Sequence, residues 1–197
     1  MTTITFVRHG NTYWNVEKRA QGHSNNPLNE IGFKQAQAVA ARLAKNGDQW
    51  DMLIASDLKR ATQTAEIISR EIDQPIALFD KRLREIGRGQ IQGMVEADRI
   101  EKWGPDWRDL DLGIETRESV RKRGMDFVKD MSERYPEAHL LVVSHGILIK
   151  ETVKGLLEEK DIDGTLENTS LCTVEKHPSK WMCTLYNCAK HLEGATL

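Results

Sequence analysis

Apolar residues recur along this chain in two rhythms. Short runs stand alone at Ile4 to Val7, Met52 to Ala55, Pro75 to Phe79 and Leu140 to Val143. Each is too brief for a helix and is bounded by polar or turn-forming residues, the pattern of a buried strand. Between them the apolar positions fall at helical spacing: Ala36, Val39, Ala40 and Leu43; Ala61, Ala65, Ile68 and Ile72; Val120, Phe127, Val128 and Met131; Ile149, Val153 and Leu156. That spacing puts each set on one face of a helix. Leu171 to Glu175 and Met182 to Tyr186 alternate instead, as a closing antiparallel hairpin near a sheet edge would.

Capping chemistry sharpens the boundaries. Asn29 is a good N-cap with Glu30 in the first turn, and Asn46-Gly47 stops that helix. Ser56 or Asp57 is expected to cap the next one. Met94 to Trp103 reads as a short helix, Gly104 to Thr116 as a loop rich in Asp and Trp, and Arg117 to about Tyr135 as a long helix ended by Pro136. The polar stretch from Asn11 to Asn29 is long for a loop inside a compact domain, which points to function. Trp14 and Leu28 give it apolar groups to bury, so it is expected to be ordered. A second loop, punctuated by Gly87, Gly89 and Gly93, follows Leu83-Arg84-Glu85-Ile86. Strands alternating with helices imply a mainly parallel sheet covered on both faces. The expected fold class is α/β: a three-layer α/β/α sandwich with a mainly parallel sheet and an antiparallel edge. Residues 1–197 are expected to form a single domain with a small helical insertion at about 94–118.

Composition narrows the function classes. A formal net charge of −2 over 197 residues carries no electrostatic footprint for nucleic acid or an anionic membrane. No apolar run reaches membrane-spanning length, and Met1-Thr2-Thr3-Ile4 lacks the look of a signal peptide. Cys172, Cys183 and Cys188 are odd in number and lack metal-type spacing, so they read as reduced thiols acting as small hydrophobes. The expectation is a cytoplasmic protein, monomer or homodimer, with no nucleic-acid or membrane partner.

The chemistry gathers where the strands end. Arg8-His9-Gly10 follows the first apolar run, Ser56 with Arg60 the second and Ser144-His145-Gly146 the fourth, while Glu85 comes a few residues after the third. In parallel α/β sheets ligands bind outside the carboxyl ends of the strands. A dianionic phosphoryl group needs cations on its equatorial oxygens, an in-line nucleophile and an acid for the leaving oxygen. Arg8 and Arg60 could supply the clamp, His9 the nucleophile, His145 a donor and Glu85 the acid. A zinc set of His9, His145 and Glu85 is the competing constellation; two arginines beside a divalent cation are unfavourable, and beside a dianion favourable. Arg60 also sits in the first turn of its helix, where a cation opposes the dipole. Either an anionic ligand or a simple surface pair with Asp57 accounts for it.

These residues carry a resemblance. Arg8-His9-Gly10-Asn11-Thr12 resembles the signature of the histidine phosphatase superfamily, which includes the phosphoglycerate mutases. Ser56 to Ala65 is similar to the family block whose arginine binds phosphate, Leu83 to Ile86 to the acid segment, and Val143 to Gly146 to the second histidine. The likeness runs from residue 4 to about residue 175. It implies a phosphoglycerate mutase-like fold, a phosphohistidine on His9, and no metal or organic cofactor. It implies catalytic roles for Arg8, His9, Arg60, Glu85 and His145, and substrate contacts from Asn15, Gln21, Gly22 and Gly146 as well. One nitrogen of His9 must be free to attack, so the other is expected to give its proton to a carbonyl of the Gly10 turn. Gly89-Gln90-Ile91-Gln92-Gly93 departs from an acidic, Trp, Glu, Gly pattern common after the acid, and Asn25 stands where an acidic residue is common. Both departures remove negative charge near the pocket.

The expected function is a metal-independent phosphatase acting on a small phosphorylated metabolite. Mutase-type phosphoryl transfer is the runner-up, and a phospho-ligand binding module without turnover the alternative from another class. The chain is short for a mutase of the family, which favours water as second acceptor. Trp103, Trp107 and Arg88 are candidates for the substrate side of the cleft, with a core role for the tryptophans equally open. His23 is expected to be a loop residue, and His139, His177 and His191 structural or surface residues.

Overall fold

The computed structural model describes residues 1–47, 49–158, 162 and 164–194, and the short apolar runs join there in one six-stranded sheet. Strands β1 (Thr3–Arg8), β2 (Met52–Ala55), β3 (Ile76–Phe79) and β4 (His139–Ser144) are parallel, in the spatial order β3-β2-β4-β1. Strands β5 (Leu171–Lys176) and β6 (Trp181–Cys188) add the antiparallel edge beside β1. The helices are α1 (Tyr13–Val16), α2 (Glu30–Asn46), α3 (Lys59–Glu71), α4 (Glu96–Trp103), α5 (Arg117–Arg134) and α6 (Gly146–Leu157).

Alternation within the strands makes two cores. Leu140 and Val142 of β4 join Ile4, Phe6 and Ile54 under α5 and α6, whereas Leu141 and Val143 join Val7, Leu53 and Ala55 under α2 and α3. Burying one such side chain is worth roughly 1.5–3 kcal/mol. β4 is apolar on both faces because both faces are covered, and it ties the two cores together. A third small cluster of Ala20, Ile91, Trp107 and Leu112 lies beneath the segment around α4. Trp107 is buried in that cluster, Trp103 packs against it half-buried, and neither forms the wall of the main cleft.

Most caps follow the sequence. Asn29 accepts the Gly32 N–H, Gly47 closes α2 in the left-handed region, and Pro136 follows the end of α5. The start of α3 departs from expectation. Neither Ser56 nor Asp57 caps it: Leu58 holds the cap position without a side-chain bond. Asp57 is gripped at both oxygens by Arg84, at 2.7 and 2.6 Å, and Ser56 lies 2.8 Å from His145. Asn25, from the first loop, accepts the Lys59 N–H instead. The pairing of Arg60 with Asp57 fails for the same reason, since a bidentate Arg84 outcompetes a local i, i+3 contact. The helix after Met94 begins at Glu96, and Asn11 to Asn29 contains the single turn α1, capped by Thr12 and Asn15. Cys172, Cys183 and Cys188 are free thiols, Cys172 pushed up to about 12 by burial. No helix among the described residues is long and apolar enough to cross a membrane.

Candidate active site

The carboxyl ends of the central strands open into a cleft of about 400 Å³. β1 delivers Arg8 and His9, the start of α3 delivers Arg60, the segment after β3 delivers Glu85, and the end of β4 delivers His145 and Gly146. β1 and β4 are neighbours in register, with Arg8 opposite Ser144, which sets the two histidines side by side. Their rings lie 5.1 Å apart, tilted by 58°.

His9 is buried and oriented from several sides. Its Nδ1 lies 2.7 Å from the Gly10 carbonyl, the bond expected from the sequence, so Nδ1 donates and Nε2 keeps its lone pair. The Arg60 Nε–H points at that Nε2 at 3.3 Å. Asn168 donates to the His9 carbonyl at 2.9 Å, and the Gly10 N–H donates to Thr64. Burial first, then the charges of Arg60 and Arg8, hold the imidazole well below its ordinary pKa, so it stays neutral.

Arg60 is completely buried. Its guanidinium donates to the carbonyls of Ser24 and Gly22, each at 2.9 Å, and burial lowers its pKa to about 10. Gly22 has a positive φ, and that turn lets the first loop wrap the guanidinium. Arg8 donates to the Leu166 carbonyl, while its Nε is buried without a partner among the described residues. His145 lies one layer deeper than the cleft wall, fully buried. Its Nε2 meets Ser56 Oγ, its Nδ1 has no partner among the described residues, and burial with the Arg60 charge keeps the ring neutral.

Glu85 faces the cleft with its carboxylate held by the N–H groups of Ile86, at 2.9 Å, and Ile147, at 3.4 Å. Arg84 is turned away to Asp57, so it does not pair with Glu85. Asn15 uses its carbonyl oxygen to accept from the Thr12 N–H and hydroxyl, which leaves its amide NH₂ for the cleft that it lines with Gln21, Gly22 and Gly146. Among the described residues no three His, Cys, Asp or Glu side chains gather closely enough to hold a metal ion. What stands around His9 is positive charge, suited to an anion.

The structure adds residues that the sequence did not single out. Lys18, Arg19, Arg99, Arg117 and Lys150 join Arg88 around the cleft, and Ser56, which the sequence already placed at a strand end, sets the orientation of His145. Arg117 opens α5, a position as unfavourable for a cation as that of Arg60, and this anomaly was readable in the sequence. The remaining histidines stand outside the cleft wall. His23 donates to the Glu85 carbonyl at 2.8 Å, His139 packs against Trp50 with the rings tilted by 45°, His177 lies near Glu175, and burial lowers His191 to about 4.

Comparison with known proteins agrees with this geometry. The model of the histidine phosphatase superfamily (branch 1) matches residues 4–189. The uncharacterized phosphatase PhoE of Bacillus subtilis (strain 168) is 32% identical over 196 residues, covering 98% of each chain. The metal-independent phosphoserine phosphatase of Arabidopsis thaliana is 30% identical over 203 residues, covering 98% of this chain and 84% of the other. A mycobacterial glucosyl-3-phosphoglycerate phosphatase, solved with VO3, superposes with a TM-score of 0.84 at 28% identity over 94% of this chain and 99% of that one.

Proposed function

This chain belongs to the histidine phosphatase superfamily and is a phosphomonoester hydrolase, and from that premise we propose that His9 carries the phosphoryl group from ester to water without a metal ion. The bonding of His9 carries the reading. Its Nδ1–H is committed to the Gly10 carbonyl and its neutral Nε2 stands beside Arg60 at the cleft. Nε2 attacks phosphorus as the bond to the ester oxygen breaks, and the equatorial oxygens take donors from Arg8, Arg60 and the Asn15 amide. Ser56 Oγ lies 2.8 Å from His145 Nε2, and we take the hydroxyl as the donor, so that the unpartnered Nδ1 carries the proton and offers a further donor.

In this mechanism Glu85, which faces the cleft, meets the bound ester as the general acid with its proton in place. It gives that proton to the leaving oxygen. The resulting carboxylate then takes a proton from the water that attacks the phosphohistidine, and inorganic phosphate and neutral His9 are restored. Gln21, Gly22 and Gly146 shape the wall. Arg8 and Arg60 provide the charge that a metal would otherwise supply. The proposal extends to a single domain over residues 1–197, with 94–118 as a helical insertion walling the cleft. It places the chain in the cytoplasm, as a monomer or homodimer acting on a small phosphorylated metabolite.

Hydrolysis of an aryl phosphate in the presence of a chelator tests the proposal. Turnover should survive chelation, and quenching with labelled substrate should leave acid-labile label on the protein. His9→Ala should lose that label and at least about a thousand-fold in rate. Label retained in the variant would refute the covalent role, and phosphoglycerate isomerisation outrunning hydrolysis would make the chain a mutase.

A further inference from the structure

The β1–β5 ladder ends with Val7 opposite Leu171, and the chain just before Leu171 does not splay away from β1. Residues 166–170 fold back over Arg8 and His9 as a clasp. The Ser170 carbonyl accepts the Arg8 N–H at 3.1 Å, the Thr169 N–H donates to the Arg8 carbonyl at 3.0 Å, and the Asn168 amide donates to the His9 carbonyl at 2.9 Å. The Leu166 carbonyl takes the Arg8 guanidinium. The clasp thus grips the main chain of both residues that lead from β1 into the cleft.

Its backbone is strained in doing so. Thr169 has a φ of +59°. A β-branched residue in that region is an outlier, and the conformation persists only where its surroundings over-determine it. Those surroundings come from far along the chain. Thr169 is fully buried, and its Oγ1 lies 2.9 Å from Nε2 of His191, in the 3-10 turn Lys190–Leu192. The other ring nitrogen, Nδ1, lies 3.4 Å from Arg42 Nη1 on α2. A guanidinium only donates, so Nδ1 accepts and Nε2 carries the proton. Burial, then the Arg42 charge, keeps this ring neutral. Nε2–H therefore donates to Thr169 Oγ1, whose own proton goes to the Asn168 carbonyl at 2.7 Å. A single line of hydrogen bonds runs from α2 through His191 and the Thr169 turn to the main chain of His9. Asn187 of β6 steadies the same clasp by accepting the Glu167 N–H at 2.7 Å.

We propose that His191 is a positioning residue for phosphoryl transfer, holding the Asn168–Thr169 turn that fixes the main chain of His9. None of His191, Thr169 and Asn168 lines the cleft, so their effect on the reaction passes through His9 and Arg8. The His9 ring sits on a short side chain, and its Nδ1 is tethered to the next carbonyl along, that of Gly10. A shift of the turn moves ring and tether together, and in-line attack is sensitive to misplacement on that scale. The Arg8 side chain is longer and its guanidinium can follow a bound phosphate. The loss therefore falls on the transfer step more than on phosphate affinity. This role rests on the reading of His9 as the nucleophile.

Two replacements of His191 test it: His191→Phe keeps a ring without a donor, and His191→Gln restores an N–H. In single-turnover quench experiments with saturating aryl phosphate, His191→Phe should label His9 about 10-fold more slowly than the native chain. Its affinity for inorganic phosphate should change by less than about 3-fold, and His191→Gln should recover most of the rate. Asn168→Ala should show the same split, and the double variant should lose much less than the product of the single losses, since both act through one turn. The imidazole nitrogen resonances of His9 should move in His191→Phe and return in His191→Gln, with thermal melts reporting folding. If His191→Phe does not fold, the shorter His191→Asn, which stops short of Thr169, takes its place in each comparison. Equal loss of rate and phosphate affinity, independent effects in the double variant, or unmoved His9 resonances would each overturn the role. If the native chain takes up no label, the nucleophile reading fails, while the His9 resonances still decide whether His191 orients that ring.

Discussion

His9 has to be a good nucleophile while sitting between two guanidinium groups. Burial first, and then the charges that would hold a phosphoryl group, suppress protonation of the ring and keep the nucleophile neutral. Glu85 is placed at the cleft by the backbone N–H groups of Ile86 and Ile147, with Arg84 turned away to Asp57 and the charges of Arg8, Arg60 and Arg88 acting on it through space. Its role shows in leaving-group dependence. An alkoxide is strongly basic and needs an acid, whereas a nitrophenolate hardly does. Glu85→Gln should slow alkyl phosphates by roughly 100-fold or more and nitrophenyl phosphate far less. Equal loss on both esters would assign Glu85 to positioning, and no loss on either would move the acid elsewhere.

At the scale of elements, the turn after β1 is held by direct contact with the start of α2. A Cβ at Gly32 would run into the Asn11 backbone, and one at Gly10 would meet the Gly32 carbonyl. Asn29 locks the same corner by capping α2 and donating its amide to Asn11. Gly32→Ala should therefore cost about 1–3 kcal/mol by overpacking. It should also lower kcat/KM by more than about 10-fold, because a sub-ångström shift of the Gly10 turn misplaces His9. Gly47→Ala is the control: its φ of +68° makes alanine strained, yet nothing lies within 4 Å of the added carbon. That variant should lose about 1 kcal/mol without a change in kinetics. Urea melts with steady-state assays read both effects, and unaltered kinetics in Gly32→Ala would show that the corner does not position the nucleophile.

Across the whole molecule, burial of two neutral imidazoles links the site to stability in acid. His9 and His145 have folded pKa values depressed by burial and by neighbouring arginines, while in the unfolded chain each titrates near 6.5. Below that value the unfolded state binds more protons, so the contribution of each ring is complete above about pH 6.5 and is lost as the pH falls beneath it. His191, lowered to about 4, adds to the same trend. The urea midpoint should fall between pH 7 and 5, before the carboxylates titrate. The double variant His9→Gln, His145→Gln should flatten that slope whatever its own stability. A midpoint independent of pH across this window would mean that both rings titrate as free histidines do.

The residues that make up the cleft floor were legible because strand periodicity and topology leave little freedom. Apolar runs at Ile4 to Val7 and Leu140 to Val143 end at His9 and His145, and parallel pairing must bring those ends to one edge. The tautomer of His9 was legible for a similar reason, since the Gly10 carbonyl is adjacent in the chain. Partner choice over long sequence distance was not. Asp57 belongs to Arg84, Ser56 to His145 and the start of α3 to Asn25, because side chains from three segments compete for the same groups and the best geometry wins. The fates of Trp103 and Trp107 depended on whether the insertion had a core of its own. The other outer cations were least visible: Lys18, Arg99 and Lys150 share no spacing rule, and only the packing of separate elements joins them with Arg88 and Arg117 in a common field. Local periodicity acts over a few residues and determines strands, helices and the ends where chemistry gathers, whereas electrostatics acts through space and is decided only when the chain has closed.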